Sequence, residues 1–177
     1  MTVIQLLKEN AEYAFEEFMG ALDGVTEGQA WAVLPNNGLD YLHTDGSIHG
    51  LVYHCAGVKL IYGSICFRDA EIRWRDLADR LDAIEPDWQK ALDFLKECHT
   101  YWMASWADFT DDRLEEMRPT NYKTDWPAWK LIRMMNQHDS YHAGQIAVLR
   151  YGVGETDVKP PSSAEDVRQY CSDSRWW

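Results

Sequence analysis

His138-Asp139-Ser140-Tyr141-His142-Ala143-Gly144-Gln145 is the stretch whose reading decides the fold. It lies in an unbroken helical pattern from about Pro127 to Tyr151, with Pro127 suited to a first turn and Gly152 and Gly154 suited to a stop. Residues at i and i+4 stand one above the other on a helix, so His138 and His142 share a face and one metal ion can bridge both rings. Leu131, Met134, Met135, Ile146 and Leu149 lie on the same stripe. Both imidazoles are therefore aimed into a core, and a polar ring taken out of water needs a partner.

Three more long helical patterns lie upstream. Ile4, Leu7, Ala11, Ala14, Phe18 and Leu22 mark a first helix from about Thr2 to Leu22, ended by Asp23-Gly24. Thr26-Glu27-Gly28-Gln29 reads as a capping box opening a short turn, and a loop follows at Pro35-Asn36-Asn37-Gly38 and Thr44-Asp45-Gly46-Ser47. A second long helix starts with Ser47 as N-cap and runs to about Ile65, with a short helix near Arg75–Leu81 beyond it. Pro86 suits the first turn of a third, whose inward stripe is Trp88, Leu92, Leu95, His99, Trp102 and Trp106. No period-two strand stands out. The expected fold is an all-α four-helix bundle over residues 1–152, with short extra helices. The two long connections leave adjacent and crossover topologies both open. Residues 153–177, with a short helix near Ser163–Tyr170 and Trp176-Trp177 at the end, read as an extension that packs back on the bundle or on a partner, because a solvated double Trp invites aggregation.

The 177 residues suit one domain with a real core, and a net charge of −12 opposes binding to nucleic acid or to an anionic membrane surface. No apolar run approaches the roughly 20 residues that cross a bilayer. The N-terminus lacks the basic start and apolar stretch of a signal peptide, so a cytoplasmic location is expected. Cys55, Cys66, Cys98 and Cys171 show no tight metal spacing and read as reduced thiols.

A third nitrogen ligand for the His138/His142 pair has to come from a facing helix. At about 100° per residue, Gly50, Leu51, Val58, Ile61 and Ile65 fall within about 60° of His54, which places His54 on the buried stripe of the second helix. His49 points about 140° away and is expected at the surface or a boundary; His43 is expected at the surface. His99 reads as a hydrogen-bonded core residue, with contact behind the ligands or an alternative ligand role as the other reading. Gln145 lies about 20° from His138 and either packs as an ordinary polar residue or orients a ligand. Asp139, about 100° round, is expected to be solvated or behind the ligands, and Cys55, turned about 100° from His54, to be a packed small residue. Tyr53 and Tyr141 point away from the ligand stripes. Hydrogen-bonded core packing of the histidines remains the alternative to a metal site.

Ser47-Ile48-His49-Gly50-Leu51-Val52-Tyr53-His54-Cys55-Ala56-Gly57, followed far downstream by the complete HxxxHxGQ segment from His138 to Gln145, resembles the DinB/YfiT-like metal-dependent family. The resemblance covers about Ile4 to Gly152. It implies a four-helix bundle, often dimeric, with His54, His138 and His142 holding zinc, nickel or a similar divalent ion. It also implies a thiol S-transferase-type activity joining a small-molecule thiol to an electrophile, because relatives include S-transferases that use bacillithiol or mycothiol and a mycothiol-dependent maleylpyruvate isomerase. Metal-assisted hydrolysis is the second reading. It ranks lower because no Glu stands beside the pair as in HExxH. A non-catalytic metal- or ligand-binding bundle is the third.

Overall fold

Thr2 opens α1 (Val3–Leu22) with a reciprocal cap: its hydroxyl accepts from the Gln5 N–H at 3.3 Å, and the Gln5 side-chain oxygen accepts from the Thr2 N–H at 2.8 Å. The next two orphan donors are satisfied from far along the chain. Val3 N and Ile4 N donate to the two carboxylate oxygens of Asp111 at 3.1 and 2.8 Å. A carboxylate at the positive end of a helix, taking two charge-assisted bonds, is worth about 1–2 kcal/mol. Asp111→Ala is accordingly expected to lower the unfolding free energy by about that amount, read from the urea midpoint at unchanged m-value.

This computed structural model describes residues 1–33, 46–82, 87–122 and 124–152, without the side chains of residues 78, 79, 81 and 82. After α1 come α2 (Glu27–Trp31), α3 (Ile48–Phe67), α4 (Trp74–Asp82), α5 (Trp88–Ser105), a 3-10 turn (Asp111–Arg113), the strands β1 (Met117–Arg118) and β2 (Trp126–Pro127), and α6 (Ala128–Gly152). Thr26, Ser47 and Asp87 cap α2, α3 and α5, each accepting from the backbone N–H three residues on. Pro127 differs from its expected place. It pairs antiparallel with Met117 in the two-stranded ribbon just before α6 rather than forming the helix's first turn. His43, Pro86, Gly154, Cys171, the Pro35–Gly38 turn and the whole 153–177 extension lie outside the described residues.

The four long helices form the bundle, with α3 packed chiefly on α5 and α6 chiefly on α1. Because α6 returns to α1 and not to α5, the connection carrying the ribbon is a crossover. Sixteen residues of α3 are buried, so it is the centre of the bundle rather than one wall of it. Among the described residues α3 alone is long and apolar enough to cross a membrane, contrary to the expectation that no run approaches that length, and most of it is buried within the bundle. Gly63 allows the close approach of α5: a Cβ there would lie 3.0 Å from a Tyr101 ring carbon and 3.2 Å from the Ser105 hydroxyl.

Two apolar clusters fill the interior. One takes Phe18, Leu22, Leu51, Leu95, Ile146 and Leu149; the other takes Ile4, Ala11, Trp102, Leu131, Ile132 and Met135. Along α6 the passage from Met135 to Ile146 goes through Asp139 and His142, and along α5 the passage from Leu95 to Trp102 goes through His99. A polar layer thus divides the core at mid-height, and the histidines of interest lie in it.

Candidate metal centre

His54 on α3 and His138 and His142 on α6 converge through the same ring atom. His138 Nε2 lies 3.1 Å from His54 Nε2 and 3.1 Å from His142 Nε2, and the ligand atoms of all three fall within 4.8 Å of one another. Three nitrogens at about 2.0–2.1 Å from a tetrahedral ion stand about 3.3 Å apart, so the observed spacing fits such a donor set. His142 is 1 % exposed, whereas His54 and His138 are half-buried.

Gln145 sets the proton on His142. Its side-chain carbonyl oxygen lies 2.5 Å from His142 Nδ1. A carbonyl only accepts, so Nδ1 carries the proton and Nε2 turns a lone pair towards the other two rings. This is the arrangement in which an outer hydrogen bond fixes a ligand's tautomer and ring orientation. The three-histidine cluster could hold a metal ion.

A family model described as the DinB superfamily matches residues 12–146, which include all three histidines and Gln145. The chain belongs to the DinB superfamily. No curated protein and no solved structure gives a significant match. Membership in the DinB superfamily agrees with the helical bundle, in which the HxxxHxGQ segment lies on α6 against α3.

Among the remaining polar groups His49 departs from expectation, and at Asp139 the solvated alternative is ruled out. His49 is buried, not at the surface: it stacks on Trp31 at 3.6 Å between ring centroids and meets Tyr53 edge-on at 4.4 Å. The helical projection failed there because α3 has no solvent face, with α2 covering its first turns. Asp139 is buried as well, and its Oδ2 takes the Lys59 ammonium at 2.5 Å, with the two side chains 2 % and 1 % exposed. Burial pushes the Asp139 carboxyl up, against the opposing pull of Lys59. Lys59 is the one formal charge in the 20-residue α3.

His99 stands apart from the three-histidine cluster. It stacks on Phe15 at 3.7 Å, and its Nε2–H donates to Glu12 Oε2 at 3.3 Å. Burial first, and the nearby Lys59 ammonium second, push its pKa down to about 3, so the contact with Glu12 is a hydrogen bond from a neutral ring and not an ion pair. The unfolded chain takes up this proton near the ordinary histidine value of about 6.5. The stability from neutral His99 is therefore complete above that pH and is lost as pH falls from there towards 3. His99→Phe, which keeps the stacking, is expected to flatten the pH dependence of urea stability between pH 6.5 and 4, by as much as about 1.4 kcal/mol per pH unit. An unchanged slope would show that His99 titrates normally.

Cys55, Cys66 and Cys98 are buried free thiols. Burial raises all three, Cys55 well above the ordinary range and Cys66 and Cys98 to about 12. Each stays a thiol at neutral pH, so none has the thiolate character of a nucleophile.

Proposed function

We propose that this chain is a metal-dependent thiol S-transferase, with His54, His138 and His142 holding zinc or nickel. The observation that carries the reading is the meeting of three imidazole Nε2 atoms from two helices, one of them tautomer-fixed by Gln145. Neutral nitrogen donors suit either ion. His54, His138 and His142 would hold the divalent ion, whose Lewis acidity would favour thiolate over thiol at neutral pH.

The chain's own residues do the rest. Buried His142 anchors the set against the core, and His54 and His138 complete it, from the facing helix and the same helix respectively. The sulfur attacks the electrophilic carbon, a C–S bond forms, the bond to the leaving group breaks, and the thiol proton passes to solvent. Hydrolysis is the weaker reading, because Asp139, the carboxylate next to the pair, is committed to Lys59 and is not available as a base for water.

The test is a panel of low-molecular-weight thiols against an alkyl halide, with zinc- or nickel-loaded protein and the thioether quantified by mass spectrometry. Thioether formation above the uncatalysed rate, lost in His54→Ala, is expected. Protein that binds metal stoichiometrically yet accelerates no thiol in the panel would overturn the transferase reading.

A further inference from the structure

We propose that the buried Lys59–Asp139 pair is a strut that sets the register of α3 against α6 and so holds His54 at ligand distance from His138 and His142. This rests on the metal reading of the three histidines.

The site straddles a junction. α3 packs chiefly on α5 and α6 chiefly on α1, so His54 belongs to one helix pair and His138 and His142 to the other. Apolar burial, which fills the space above and below, is non-directional and tolerates a slide of one helix along another. An ion pair in a dry interior does not. A slip of about 1.5 Å, the rise of one residue, would pull apart two buried charges that have no water to turn to.

Lys59 and Asp139 are placed to transmit that constraint. Asp139 follows His138 directly, so fixing its carboxylate fixes the height of the His138 ring. Lys59 lies five residues from His54 on the same rigid helix, and its ammonium meets Asp139 Oδ2 at 2.5 Å. The other carboxylate oxygen, Oδ1, is buried and has no hydrogen-bond partner among the described residues, which leaves Lys59 as the group that orients Asp139. Beside the ammonium the Phe15 ring lies 5.4 Å away, and neutral His99 stacks on that ring. Among the described residues Asp139 is the carboxylate in ion-pair distance of Lys59. Since replacing such pairs by apolar residues often leaves stability unchanged or raised, the pair's contribution is to register and not to net stability.

Cobalt(II) is the probe, because its visible d–d bands report coordination geometry independently of turnover. The double variant Lys59→Met/Asp139→Leu keeps the side-chain shapes and removes both charges, so the bundle stays folded. It is expected to bind cobalt at least about tenfold more weakly than wild type, with altered bands. Wild-type affinity and bands in the double variant would overturn the strut while leaving the metal reading intact. Wild-type protein that binds no cobalt would instead overturn the metal reading, and the strut with it.

Discussion

His142→Ala is expected to abolish stoichiometric binding of a divalent ion while leaving the bundle folded. His142 is the buried member of the trio, and its Nε2 stands 3.1 Å from that of His138. Alanine is the best helix former, so α6 survives the exchange. Losing an outer hydrogen-bond partner costs a metal site about 10–100-fold, which is the effect expected for Gln145→Ala. Losing one of three nitrogens costs more than the upper end of that range. The check is calorimetric titration with zinc, together with the thermal shift on adding it. At 100 times the dissociation constant, a ligand that binds only the folded state adds about 2.7 kcal/mol. Wild type is expected to show that upward shift and His142→Ala to lose it. A variant that keeps both affinity and shift would mean that the imidazoles meet as core packing.

The second large effect is on stability. Lys59→Met removes one member of a pair whose side chains are 1 % and 2 % exposed, leaving the Asp139 carboxylate buried beside a methyl group. Breaking a buried pair from one side costs about 3–5 kcal/mol, a large share of the 5–15 kcal/mol that holds a typical domain together. Adding Asp139→Leu to that variant is expected to restore most of the loss, because no charge is then left buried. Urea denaturation of the two variants checks both statements. A single variant as stable as wild type would show that water reaches Asp139.

The long helices and the histidine trio were legible because each rests on a local period. His138 and His142 share a face by spacing alone, and His54 follows from the apolar positions around it. His49 was misread by the same projection, since a helix buried on all sides has no polar face to mark its orientation. Asp139 was legible in retrospect. Ala128, Ile132, Met135, Asp139, His142, Ile146 and Leu149 step along α6 by fours and threes, and a carboxylate in that row has to be paired. Lys59, a lone charge in an apolar helix, is the matching signal. Nothing local announces Asp111 as the cap of α1, because donor and acceptor are more than a hundred residues apart and meet only once the crossover is in place.

The central claim is that three imidazoles on α3 and α6 form one metal site. X-ray absorption at the metal edge of zinc-loaded protein tests it most directly. One zinc per chain is expected, with three histidine nitrogens at about 2.0–2.1 Å and a light-atom ligand in the remaining position. Substoichiometric zinc, or a first shell with protein sulfur at about 2.3 Å, would contradict it.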